Sequence, residues 1–421
     1  MEYAFSLTHQ RMSIRFALCL AALLPALSCG PARPTFDSIA EGYVRTTLKL
    51  AQHDPSLVED WRGPASWRPG PRVPVAQLVE EISALDRQLA LAQSGLSSAQ
   101  EFARGQYLAG QLRALRFAAE RQFGRAATID EQARDEFGVT LPPFDSTITA
   151  RVHAALNQLL PGDRPLHERV AKLRRDTLVP ADRREDVLTE ALRACMEATN
   201  AVVPLLLDEG AHLVFRDNPA WDGFARSNGG RGSEIEISNG PIDVMRAMRL
   251  VCHEGFGGHH SQHVWIGELS NRRSWLELRL TPGFGPHLLM TEGAAEVAAD
   301  VILTRRQRET LLRDRMLPQA SLPPALAPTL IDVDAGLVEL LPVVTDVARQ
   351  YLDGTITQER AIARLTEEAL LSNPEGTLTF IEQRRARALV YGEGRRVVYA
   401  LIKTKDLAGL FAAFKTAAAV Q

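Results

Sequence analysis

Apolar residues recur at helical spacing along most of this chain. Ile39, Tyr43, Val44, Leu48 and Leu50 mark the first such stretch, between Phe36 and Gln52. The Pro-, Gly- and Trp-rich segment from Asp60 to Pro74 interrupts it and reads as a surface loop. Long periodic segments follow over 75–94 and 97–123, and Thr128-Ile129-Asp130-Glu131 is a capping box that opens a short helix to Phe137. Further helices are expected over 145–160, 164–176 and 183–208. Ala, Leu, Arg and Glu dominate these segments and lose little side-chain freedom in a helix, so the pattern predicts a mostly α body.

One stretch breaks the helical period. Ser233 to Ser238, SEIEIS, alternates polar and apolar residues as a half-buried strand does, after the flexible turn Asn228-Gly229-Gly230-Arg231-Gly232. It is expected to be either an edge that pairs with an extended peptide or a plain structural hairpin. No Lys-Ser/Thr pair follows the glycines, which excludes a P-loop. Neither an internal repeat nor a clean domain boundary is visible.

Composition narrows the class. The 421 residues are 45% hydrophobic and 24% charged with a formal net charge of −3, which is ordinary globular usage and makes a phosphate-tracking surface for nucleic acid a poor reading. No run of 18 apolar residues exists, so a multi-span membrane protein is excluded. Phe16 to Leu24, FALCLAALL, follows Arg11 and Arg15 and precedes Pro25-Ala26-Leu27-Ser28-Cys29-Gly30, the layout of a secretory signal, with Met12 as an alternative start. Cys29 stands where a bacterial lipoprotein carries its lipid. The expected organisation is a leader over 1–28 and one helical domain over 29–421, exported to the periplasm or cell envelope and touching the membrane only through a lipid on Cys29. Cys195 and Cys252 fall on apolar-patterned helices and are expected to be buried free thiols.

Candidate chemistry is confined to one window. Five of the ten histidines, His253, His259, His260, His263 and His287, lie close together in the chain. His253 and Glu254 come near the end of a helix that starts at Asn239-Gly240-Pro241, and Gly255-Phe256-Gly257-Gly258 separates them from His259 and His260. On an unbroken helix six residues turn through about 240°, so His253 and His259 would face apart. His260 would return to the same face but about 10.5 Å along the axis, too far for one metal with bonds of about 2.1 Å. Three glycines in four positions let residues bulge out of the helix and bring His259 beside His253; His260 takes that place if one more residue bulges. Downstream, TEGAAEVAAD puts Glu292, Glu296 and Asp300 on one helical face, so one of them can complete a metal site while a carboxylate one turn away orients a ligand histidine. His263 points away from that face and is expected to be a surface or packing residue.

HEGFGGHHSQ at 253–262 and Glu292-Gly293 resemble the DUF885 family of bacterial zinc-metallopeptidase-like proteins. YVRTTLKLAQHDP, ERQFGRAATIDEQARDEFGV and Tyr391-Gly392-Glu393-Gly394 extend the likeness over most of residues 36–400. Gly257 stands where the family has proline and Ala294 where it has tryptophan. The resemblance implies a large multi-helix, gluzincin-like fold with a central cleft and a short strand or hairpin near the active-site helix. It implies a zinc ion held by His253, His259 and Glu292, with His260 and Glu296 as alternates, Glu254 as general base, and Tyr391 as an oxyanion partner. His287, in the loop before the Glu292 helix, is a second candidate donor. The expected activity is zinc-dependent hydrolysis of peptide bonds; the rival reading is a zinc-binding lipoprotein without turnover.

Overall fold

The Thr35 hydroxyl accepts a hydrogen bond from the Ser38 amide at 3.2 Å and so starts α1 (Phe36–Leu50), whose buried stripe is Ile39, Tyr43, Val44, Leu48 and Leu50. The computed structural model describes residues 34–404 apart from 96–97 and 218–220, so the leader and Cys29 lie outside the described residues. A short strand, β1 (Val58–Trp61), occupies the start of the segment expected to be loop. There follow α2 (Val75–Gln93), α3 (Ala99–Gln122), α4 (Ile129–Phe137) behind its Thr128 capping box, α5 (Thr147–Leu159), α6 (Leu166–Asp176) and α7 (Arg184–Val202). The helix expected to reach 208 stops at Val202, and the chain turns into β2 (Gly210–Arg216), β3 (Gly223–Ser227) and β4 (Gly232–Ser238).

The sheet order is β2-β4-β3, with β4 parallel to β2 and antiparallel to β3. SEIEIS is therefore a strand, but the central one: both of its edges are taken, and β2 and β3 are the edge strands. Ile235 and Ile237 are fully buried, while Glu236 is covered by Arg216 at 2.8 Å and Arg226 at 3.2 Å.

After the sheet come α8 (Val244–Glu254) and α9 (His259–Arg273), then β5 (Leu280–Pro282), which pairs antiparallel with β1, and α10 (Gly285–Ile302). α8 begins three residues later than expected, because the Asp243 carboxylate caps the Met245 and Arg246 amides. α11 (Arg305–Leu311) passes through a π-helical turn (Leu312–Met316) into α12 (Leu317–Gln319). The remainder is α13 (Ala327–Glu339), α14 (Leu341–Leu352), α15 (Gln358–Glu367), α16 (Pro374–Arg384) and α17 (Val390–Thr404). The described protein is mostly helical, with two small sheets.

Among these, α10 is buried on nearly every face and forms the axis of the core. α17 lies along it, meeting it backbone to backbone at Gly293 and Gly394. α7 and α8 are joined covalently: Cys195 and Cys252 form a disulfide with Cα atoms 5.7 Å apart, in place of the free thiols expected. Each cysteine does lie buried on an apolar helix face, as the pattern indicated; what periodicity could not convey is that the two faces meet.

Candidate metal centre

His253 is in the last turn of α8, and the helix ends one residue later. The glycines do more than loosen it. Gly257 adopts φ of +85°, which side-chain-bearing residues rarely tolerate, and a Cβ on Gly258 would collide with the His253 carbonyl oxygen. The expected bulge is thus a complete break: α9 starts afresh at His259 with its own phase, and the Ser261 hydroxyl accepts from the Gly257 amide at 2.9 Å to hold the turn.

That phase separates the two adjacent histidines. The His259 ring packs edge-on to His253 with centroids 4.8 Å apart. His260 turns the other way, fully buried, with Nδ1 2.9 Å from Ser233 Oγ and its ring edge-on to Phe256. His260 is therefore not brought to the cluster and serves to fasten α9 to β4.

From α10, Glu292 Oε2 reaches 3.4 Å from His253 Nε2 and 3.5 Å from His259 Nε2. The three ligand atoms all lie within 4.8 Å of one another. Tetrahedral bonds of about 2.1 Å place ligand atoms roughly 3.4 Å apart, so the spacing fits one small cation at their common focus. The outer ring nitrogens are already committed: His253 Nδ1 lies 3.2 Å from Glu296 Oε1 and His259 Nδ1 lies 3.2 Å from Gln262 Oε1. Gln262 is itself anchored by donating to the Thr291 carbonyl at 2.9 Å. With both Nδ1 atoms donating outwards, both Nε2 lone pairs face a buried carboxylate oxygen that has no hydrogen bond of its own. Three acceptors aimed at one point require either protons or a metal ion. The electrostatics agree: against the opposing effect of burial, Glu292 and Glu296 hold His253 well above the usual imidazole range. His259 is raised through Glu292, also against burial.

Glu254 Oε1 lies 3.9 Å from His253 Nε2, and a Cβ added to Gly223 of the edge strand β3 would meet the Glu254 Cγ. Tyr391 enters from the first turn of α17, tilted against Phe380 at 6.1 Å. The nearby Glu292 charge, then burial, then Glu59, Glu296 and Glu254 keep its phenol protonated far above the ordinary range. His287 is buried at the start of α10, edge-on to Tyr107; burial, with Arg62 and His259 adding to it, pushes its pKa down to about 4. His263 is half-buried and stacks 6.4 Å from His259, a packing residue.

Asp300 is not part of the cluster. It receives Arg249 of α8 at 3.2 Å, Arg308 of α11 and Arg395 of α17 at 2.5 Å. Arg395 is buried, and its Nη1 also donates to the Glu296 carbonyl at 2.9 Å.

Two charged groups near the cluster escaped the sequence reading. Glu59 of β1 has an exposed side chain, yet the protein atoms packed around it together with the Glu292 charge push its pKa up to about 7, His259 opposing. It sits where the β1–β5 register slips, Val58 pairing with Pro282 and Asp60 with Thr281. The slip makes Glu59 an extra residue that the ladder turns outwards. Arg62 donates to Ser227 Oγ at 3.0 Å, tying β1 to the end of β3.

Comparison with known proteins gives structural likeness alone. No family model and no curated protein matches the sequence. The chain is similar to a provisionally named lipoprotein from Colwellia psychrerythraea, at 16% identity over 91% of this chain and 73% of that one, with a TM-score of 0.49. It is similar to an M32 carboxypeptidase from Deinococcus radiodurans R1, at 13% identity over 90% and 87% of the two chains, TM-score 0.45. A Pyrococcus furiosus carboxypeptidase matches at 14% identity over 90% and 89%, TM-score 0.34.

Proposed function

We propose that this protein is an exported zinc-dependent hydrolase of peptide bonds, with His253, His259 and Glu292 as ligands. The observation that carries the reading is the convergence of two imidazole Nε2 atoms on Glu292 Oε2 at 3.4 and 3.5 Å, with Glu296 behind His253. Two nitrogens and one carboxylate oxygen form a donor set that suits zinc and leaves a fourth position open. A divalent cation bound there supplies Lewis-acid polarisation of a carbonyl and lowers the pKa of water towards about 7.

The chain's own residues supply the rest. In this reading Glu254 accepts a proton from the attacking water and returns it to the leaving amine. Tyr391, kept protonated by the surrounding carboxylates, can donate its hydroxyl proton to the oxyanion; buried His287, held neutral, is the second candidate donor. Glu296 and Gln262 hold the ligand rings in the tautomer that leaves Nε2 free. The β3 edge passing over Glu254 offers unpaired backbone groups to an extended peptide, the role first considered for 234–238. The disulfide fits an oxidising compartment and so supports export, as does the leader-like sequence before Cys29. Lipid on Cys29 belongs to the same reading.

The test is elemental analysis coupled to a mixed peptide library. Wild-type protein is expected to hold about one zinc per chain and to cleave peptides, with loss on chelation and recovery on adding zinc. Glu254→Gln is expected to keep the metal and lose roughly 100- to 10,000-fold in rate. Stoichiometric zinc without turnover would leave a metal binder, and an active, zinc-replete Glu254→Gln protein would remove Glu254 as the base.

A further inference from the structure

A cavity of about 390 Å³ opens between the end of α3, α4 and the turn that joins α16 to α17. Four guanidinium groups line it, from Arg121, Arg384, Arg385 and Arg387, against two carboxylates, Asp54 and Glu136. The carboxylates are largely spoken for. Glu136 takes Arg387 Nε at 2.9 Å, and Asp54 accepts from the Ser56 amide at 3.1 Å, with Arg387 only at 4.0 Å. Arg385 finds just neutral acceptors, Gln132 Oε1 at 3.4 Å and the Ala127 carbonyl at 3.5 Å. Its backbone sits at φ of +50°, an uncommon conformation for a side-chain-bearing residue.

The guanidinium groups of Arg121 and Arg384 make no hydrogen bond or ion pair among the described residues. Arg121 is nevertheless half-buried, and burial with the neighbouring Arg385 and Arg387 charges works against its protonated form. Arg387 has Glu136 and Arg384 is exposed, but half-buried Arg121 and Arg385 have no carboxylate partner, which an anion in the cavity would supply. The cavity also has a place relative to the metal centre. Ser56 is on its wall and Glu59 is three residues further on, and the Glu59 carboxylate feels Glu292 and His259 on one side and Arg384 and Arg387 on the other. Glu59 thus stands within electrostatic reach of both the His/Glu cluster and the arginines of the cavity.

We propose that this cavity receives the carboxylate-bearing end of a peptide whose backbone lies in the cleft, so that the substrates are peptides with an acidic terminus. The proposal rests on the reading of the cleft as a peptide site. Its chemistry is carboxylate recognition by unpaired guanidinium groups, and the carboxylate comes from the chain terminus or from an acidic side chain.

The experiment measures binding rather than turnover, so that it does not depend on hydrolysis. Four fluorescein-labelled hexapeptides of one sequence end in Glu-Glu or Gln-Gln, each as free acid or as amide, and are titrated by anisotropy into Glu254→Gln protein with and without zinc. The acidic free-acid peptide is expected to bind roughly tenfold tighter than the Gln-Gln amide at low salt. The two intermediate peptides say whether terminus or side chain carries the preference. Arg121→Gln combined with Arg384→Gln should abolish it, while Arg125→Gln, outside the cavity, should not. Circular dichroism melts check that the variants fold. A preference that appears without any hydrolysis by wild type supports the cavity and sinks the peptidase reading. Equal binding of all four peptides overturns the proposal. So does a preference that survives the double variant, or inorganic phosphate binding to the cavity while no acidic peptide competes with it.

Discussion

His253 has both ring nitrogens committed, one towards Glu292 and the other 3.2 Å from Glu296. A carboxylate in that outer position fixes the tautomer and raises the basicity of the inner nitrogen, so Glu296→Ala should weaken zinc binding about 10- to 100-fold with the fold intact. Competition with a chromophoric chelator reads this directly; unchanged affinity would strip Glu296 of its orienting role. His287 makes a separate prediction in pH. Burial, with Arg62 and His259 adding to it, holds its folded pKa at about 4, whereas an unfolded imidazole titrates near 6.5. Between those values the unfolded chain binds a proton that the folded chain refuses. The neutral ring's contribution is therefore fully present above about 6.5 and is lost as pH falls towards 4. The stability gap between metal-free wild type and His287→Asn should narrow by about 2–3 kcal/mol from pH 7 to 4.5, measured by urea unfolding. Parallel curves would mean that the ring takes up its proton in the folded state without cost.

At the scale of elements, the decisive feature is the joint between α8 and α9. Gly258→Ala would drive a methyl into the His253 carbonyl, so the joint must open and His259 must move relative to Glu292. We expect a loss of about 2 kcal/mol or more and a sharp fall in zinc stoichiometry, seen in thermal melts with and without metal. A variant that binds zinc normally would show that the joint tolerates a side chain. This joint also explains what the sequence could and could not reveal. The glycine run beside the histidines signalled a distortion, because glycine is otherwise unfavourable in a helix. Angular arithmetic along one helix could not choose between His259 and His260, since α9 begins a new helix whose phase owes nothing to α8. α10 was legible for the opposite reason: it is one unbroken helix, so the four-residue spacing of Glu292, Glu296 and Asp300 survives into three dimensions. Glu59 and β3 left no such trace. A four-residue strand with a register slip has no period to read, and GFARS lacks the β-branched residues that mark a strand.

At the scale of the molecule, the helices that carry the His/Glu cluster are held from outside it. α8 is fastened on one side by Cys252 to α7, and on the other by Arg249, whose guanidinium binds Asp300 of α10 and Asp334 of α13, the latter through Nε at 2.7 Å. Arg308 of α11 and Arg395 of α17 join the same Asp300, so five helices share one charge network. The two fasteners act differently. The disulfide closes a loop of 57 residues, and constraining the unfolded chain to that extent is worth about 4 kcal/mol in the chain-entropy account. The arginine network acts in the folded state, setting how α8 lies against α10. Cys195→Ala with Cys252→Ala should therefore lower the unfolding free energy by about 2–4 kcal/mol while zinc affinity changes little, because Arg249 still holds His253 opposite Glu292. Arg249→Met should do the reverse in proportion, costing zinc affinity more than the disulfide variant does, since it frees the helix that carries the ligand. Denaturant titration beside chelator competition on both proteins separates the two. A disulfide variant that loses zinc as readily as Arg249→Met would mean that the covalent tie, and not the charge network, sets the geometry of the cluster.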